Sequence, residues 1–134
     1  MPASTDRHDT GIDRYETAVD RYFEAWNARE PAELARAVAT AWTPLGSYTD
    51  PLADVRGQEG IAAVVAAAQA QFPGFAFRLT GSMEGHHDTA RFSWELVNEA
   101  DGSAPVAGSD VITLDAEGRI VSVLGFLDRV PADG

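Results

Sequence analysis

Three side chains in this 134-residue chain pair a type suited to proton chemistry with an informative position: Tyr22, Asp50 and Asp110. Asp110 lies in the run Gly108-Ser-Asp-Val-Ile-Thr-Leu114, in phase with Ile112 and Leu114. A carboxylate in line with an aliphatic stripe is either wetted at a sheet rim or buried. Buried, ionised and unpaired, it would lose several kcal/mol or have its pKa driven upward. Asp50 directly precedes Pro51, a pattern that suits a turn-initiating Asp and equally a reactive carboxylate at a strand end. Tyr22 falls on the apolar face of a helical repeat, where a phenol is a core residue with its hydroxyl satisfied or a donor to something bound there. Two acids and a phenol in different environments could supply one ionised base and neutral donors, the set needed to remove a proton beside a carbonyl.

The elements that must position these groups follow from hydrophobic periodicity. Ile12, Tyr15, Val19, Tyr22, Phe23 and Trp26 recur at three- and four-residue steps, opposite Asp13, Arg14, Glu16, Asp20, Arg21 and Glu24, which predicts a first amphipathic helix ending near Asn27 or Ala28. Pro31 suits the first turn of a second helix whose buried side is Leu34, Ala35, Val38 and Trp42, stopped by Pro44. Ser47–Asp50 reads as a short strand, and Gln58 to about Phe72 as a third helix, ended by Pro73-Gly74. From there the pattern is β. Phe75, Phe77 and Leu79 alternate with polar or small residues, Gly81–Gly85 forms a turn or bulge, and Ala90–Asn98 carries Phe92, Trp94 and Leu96 on one face.

The clearest signal is a hairpin turning at Asp115-Ala-Glu-Gly118. It predicts that Asp110, Ile112, Leu114, Ile120, Ser122, Leu124 and Phe126 share one face, and Val111, Thr113, Val121 and Val123 the other. Both faces are apolar, so the sheet needs helices on one side and a second cover, such as another subunit, on the other. Residues 1–10 are polar and aperiodic and are expected to form a flexible tail, residues 11–130 a single α+β domain, and residues 131–134 a short tail.

Composition narrows the function. A net charge of −11 with no basic patch argues against nucleic acid and anionic membrane surfaces as partners. The absence of cysteine removes thiolate chemistry and disulfides and fits a reducing cytoplasm. No apolar leader or membrane-length run is present, so a soluble cytoplasmic protein is expected. His86 and His87 are adjacent and, on a strand, point to opposite faces, so no metal site is predicted. His86 keeps phase with Phe92 and Trp94 and could contact a ligand. Arg91 alternates with those aromatic residues and belongs to the opposite face.

Helix-helix-strand-helix followed by a curved meander resembles the nuclear transport factor 2-like superfamily, a cone of sheet wrapped around helices with a pocket at its open end. Arg21-Tyr-Phe-Glu-Ala-Trp-Asn-Ala28, Tyr48-Thr-Asp-Pro51, Gly57-Gln-Glu-Gly-Ile61 and Gly108-Ser-Asp110 through Asp115-Ala-Glu-Gly-Arg-Ile120 look like its SnoaL-like branch of polyketide cyclases, close to the ketosteroid isomerases. The resemblance runs from about Ile12 to Arg129. It implies a cofactor-free isomerase or cyclase in which Asp50 is the general base, while Tyr22 and a protonated Asp110 are hydrogen-bond donors to the developing oxyanion. It also implies a homodimer packed through the outer sheet face, and an apolar small-molecule ligand contacted by Trp26, Trp42, Phe77, His86, Trp94 and Phe126. The same cone also serves non-catalytic ligand binders and dimerisation modules, and those readings stay open.

Overall fold

The computed structural model describes residues 2–131, with side chains from Arg14 onward. Three helices, α1 (Pro2–Asn27), α2 (Pro31–Ala41) and α3 (Gln58–Gln71), lie with six strands: β1 (Trp42–Asp50), β2 (Ala53–Arg56), β3 (Phe75–His86), β4 (Thr89–Asn98), β5 (Val106–Leu114) and β6 (Ile120–Arg129). The strands form one sheet in the order β2-β1-β6-β5-β4-β3. Every neighbouring pair is antiparallel except β1 and β6, which run parallel. Among the described residues no helix is long and apolar enough to cross a membrane.

The first helix reaches back to Pro2 and takes in the polar stretch expected to be a loose tail. A proline in the first turn forfeits no hydrogen bond, and no other proline interrupts the helix. The side chain of Ile12 and residues 132–134 of the tail expected over 131–134 lie outside the described residues. Tyr22 and Trp26 are buried as their spacing requires, joined by Ala18 and Ala25, whose small side chains let α1 approach the sheet closely.

The second helix stops at Ala41, one residue earlier than expected, and Trp42 opens β1. Pro44 therefore lies within a strand. It is tolerated because the pairing of β1 with β6 jumps from Trp42–Ile120 to Ser47–Ser122, leaving Thr43–Gly46 outside the ladder. Strand β2 carries no alternation strong enough to mark it in the sequence. It exists because the tight turn after Asp50 folds the chain back, pairing Asp50 with Ala53 and Ser47 with Arg56.

The hairpin at Asp115–Gly118 forms as expected, with Gly118 N–H donating to the Asp115 carbonyl at 3.0 Å and Gly118 at φ 84°. Its far strand departs from simple alternation. Leu114 pairs with Ile120 but Thr113 with Ser122, so Val121 is an extra residue in β6. One inserted residue reverses every later side chain. Val123 is consequently in the core at 0% exposure, while Leu124 and Phe126 point outward. The expected bulge in β3 is also present, between Thr80 and Glu84.

Candidate active site

Between the helices and the inner sheet face, towards one end, lies a cavity of about 380 Å³. Its walls are Trp26 from α1, Ala68 and Phe72 from the α3 end, Phe77, Trp94 and Leu96 from β3 and β4, and Val106 and Leu127 from β5 and β6. Leu52, Gln71, Val130 and Pro131 complete the lining. Aromatic edges interlock along one wall: Trp26 and Phe77 have centroids 4.9 Å apart, and Phe77 and Trp94 5.3 Å. Apart from the Gln71 amide on α3, the polar groups of the lining are Tyr22, Tyr48 and Asp50. Among the described lining residues Asp50 is the sole charged side chain.

Asp50 serves two structures at once. Its Oδ1 accepts the backbone N–H groups of Leu52 and Ala53, both at 2.8 Å, which closes the β1–β2 turn. Its Oδ2 accepts the Tyr48 hydroxyl at 2.6 Å. Tyr48 and Asp50 sit two apart on one strand and so share a face. The turn-forming role and the cavity position, opposed in the sequence, are therefore compatible. Tyr48 was not singled out from the sequence, although its spacing from Asp50 was the available signal.

Asp110 is buried at 2% exposure and accepts the Tyr22 hydroxyl at 2.5 Å through Oδ2. It stands behind Tyr22 rather than on the cavity wall. Burial pushes its carboxyl up to about 6, against the pull of hydrogen bonding from Tyr22 and Trp94, with the charges of Asp50 and Asp128 adding to the rise. Burial likewise raises the Tyr22 phenol well above its ordinary value, reinforced by the charge of Asp110. Burial and the hydrogen bond to Asp50 raise Tyr48. Both phenols are thus held as neutral donors.

The two Tyr–Asp pairs meet across β6. Gly125 pairs with Asp110 on β5, and a Cβ placed on it would come 2.8 Å from Asp110 Oδ1 and 3.3 Å from Asp50 Cβ. The strand between the carboxylates has to be free of a side chain there.

Of the residues expected at the site, Tyr22, Asp50, Trp26, Phe77 and Trp94 line the cavity and Asp110 backs it. Three others stand elsewhere. Trp42 is wholly buried, packed 5.6 Å from the Tyr22 ring, because β1 begins one residue after α2 ends and turns the indole into the core. Phe126 is 59% exposed on the outer face, displaced by the extra residue in β6, and Leu127 takes the inward position. His86 lies at the far end of β3 beside Glu84 and Arg91, exposed and away from the cavity, because the tight turn at His87–Asp88 pairs it with Thr89 and so places it on the face opposite Phe92 and Trp94.

The family model of the SnoaL-like domain matches residues 19–123. A solved structure of a candidate isomerase of the SnoaL-like family from Agrobacterium tumefaciens is 41% identical, with a TM-score of 0.81, over 87% of this chain and 98% of that one. A candidate SnoaL-like polyketide cyclase from Jannaschia sp. is 16% identical, with a TM-score of 0.70, over 87% and 86% of the two chains. A protein of unknown function with a cystatin-like fold from Methylobium petroleophilum is 16% identical, with a TM-score of 0.67, over 91% and 80%. The last two share the fold. No protein of curated function matches the sequence. The length of the family match and the 41% identity, over a cone of three helices and a six-stranded sheet, place this chain in the SnoaL-like domain family.

Proposed function

We propose that the cavity binds an apolar, carbonyl-bearing small molecule and moves a proton at the carbon beside that carbonyl without a cofactor, as an isomerase or a cyclase does. The observation that carries this reading is the pair of Tyr–Asp contacts beside a cavity whose lining is otherwise apolar except for Gln71. Asp50 is the base: Oδ2 takes the proton from the α-carbon, and the electron pair of that bond moves towards the carbonyl oxygen. Tyr22, backed by Asp110, donates to the resulting oxyanion. The proton then returns to another carbon in an isomerisation; in a cyclisation the enolate carbon attacks a second carbonyl and the alkoxide so formed takes the proton from Asp50. The candidate-isomerase designation of the Agrobacterium relative is consistent with the first outcome.

The test is deuterium exchange into 2-tetralone, followed by proton NMR. Asp50→Asn is expected to slow exchange at least ~100-fold while leaving the dissociation constant within about threefold. Exchange that survives the substitution removes Asp50 from the role. A second reading, a non-catalytic binder, draws on Asp50 Oδ1 being occupied by the turn. Tight binding with no exchange by the unaltered protein favours it.

We further propose a cytoplasmic homodimer packed through the outer sheet face. Val121, Leu124 and Phe126 are exposed together on β6, and the lack of cysteine suits a reducing compartment.

A further inference from the structure

A carboxylate carries two lone pairs on each oxygen, and Asp50 has engaged both on Oδ1, with the Leu52 and Ala53 N–H groups, and one on Oδ2, with the Tyr48 hydroxyl. One acceptor position on Oδ2 stays open. It belongs to the sole charged side chain among the described lining residues. Beside it a wall of aromatic rings begins at Tyr48. The Tyr48 ring lies 5.5 Å from Trp26, Trp26 lies 4.9 Å from Phe77, and Phe77 lies 5.3 Å from Trp94, with planes inclined at 53°, 54° and 64°. All four rings line the cavity. The faces of such rings carry partial negative charge and attract cations.

The surrounding charge has the same sign. No described lining residue is a cation, and Gln71, the remaining polar one, is neutral. Arg129, which precedes the lining residue Val130, is held by Glu95 at 2.9 Å and by the Ala104 carbonyl at 2.6 Å. Asp110, behind Tyr22, adds negative charge that is felt at Tyr48, and the whole chain carries −11. An anion drawn into this cavity would be buried without a partner, whereas a cation meets both a carboxylate and ring faces.

We infer that the cavity binds hydrophobic tertiary amines in their protonated form, the single N–H donating to Asp50 Oδ2 and the alkyl groups on nitrogen lying against Trp26, Tyr48 and Phe77. A tertiary ammonium brings one donor to the one open position on the carboxylate, and its alkyl groups ask for no hydrogen bond. The volume of about 380 Å³ has room for a bicyclic skeleton. Nothing in this pairing needs a carbonyl on the ligand. A bound ammonium takes the lone pair that proton abstraction would use, so amine and reacting ketone exclude one another.

Tryptophan fluorescence titration of the full chain, with Trp26 and Trp94 in the cavity wall as reporters, tests this at pH 7. Salt at about 0.15 M screens the distant charges. The probes are 2-(dimethylamino)tetralin, its uncharged carbon isostere 2-isopropyltetralin, and its trimethylammonium analogue, which keeps the charge and lacks the N–H. The tertiary amine should bind about 10-fold more tightly than the trimethylammonium compound, by the strength of one charge-assisted hydrogen bond. In Asp50→Asn the ratio of amine to isostere affinity should fall at least ~10-fold. A trimethylammonium compound bound as tightly as the tertiary amine overturns the pairing in the unaltered protein, whatever the variant does. An affinity ratio unmoved by Asp50→Asn, or no amine binding at all, overturns it too. Deuterium exchange into 2-tetralone reads the carbonyl proposal separately, so amine binding beside a ketone that does not exchange leaves this inference standing.

Discussion

Asp110 is a carboxylate that this protein keeps dry, and its burden on stability depends on pH. Its folded-state affinity for a proton is raised from the ordinary 3.8 to about 6, so it favours the folded state below pH 4 and that contribution is lost as pH rises through 6. The shift amounts to roughly 3 kcal/mol at full ionisation. Replacing Asp110 by Asn removes the charge and keeps an acceptor for Tyr22. Urea denaturation should find Asp110→Asn more stable than the unaltered protein by about 2 kcal/mol at pH 8, with the gain vanishing near pH 4. A difference constant with pH would place the carboxylate in a wetter setting. The sequence exposed this residue because its strand alternates without interruption from Val106 to Leu114, so Asp110 could only share a face with Ile112. Its partner was less legible. Tyr22 and Asp110 are 88 residues apart, and no local pattern states that a phenol will reach a carboxylate at that distance.

At the scale of elements, bulges separate what was readable from what was not. Helix periodicity placed Tyr22, Trp26 and Val38 correctly because a helix interior has no inexpensive way to change phase. Strands do. The extra residue at Val121 turned Phe126 away from the cavity, and the turn at His87–Asp88, which ends β3 where the alternation suggests one continuous strand, put His86 on the opposite face. The β3 bulge is marked by Gly81 at φ 67°, whereas the extra residue at Val121 has no signature in its neighbours. Gly125 was missed for a related reason, since glycine in a strand marks close approach of something that the local sequence does not name. Its consequence is testable. Gly125→Ala would bring a methyl group to 2.8 Å from Asp110 Oδ1, with β1 on its other flank, so Asp110 must shift off Tyr22. A loss of about 1–3 kcal/mol in chemical denaturation is expected, together with weakened ketone binding. An alanine tolerated without either effect would mean that the carboxylates have slack.

At the scale of the molecule, fold class was legible because composition, three helical repeats and a run of alternating strands agree on one answer. The topology of closure was not. Nothing in β1 announces a parallel partner some 75 residues on, and β2 is visible only through the turn that creates it. The outer face raises the question of assembly. Leu124 at 49% and Phe126 at 59% exposure form an apolar stripe that a second copy would cover. Sedimentation should give twice the mass of a single chain for the unaltered protein and the single-chain mass for Phe126→Asp, with the β-sheet circular dichroism unchanged. A monomeric unaltered protein would refute the pairing.

The parallel pairing of β1 with β6 also bears on how the chain is made. On the ribosome, residues 42–50 emerge long before residues 120–124, so one flank of β1 carries open amide and carbonyl groups through most of synthesis. The Tyr48–Asp50 contact can form early, being local, whereas the Tyr22–Asp110 contact must await β5. A nascent chain therefore acquires the Asp50 carboxylate and its Tyr48 partner before it acquires the enclosure around them. High contact order of this kind slows folding and makes truncated products prone to strand addition.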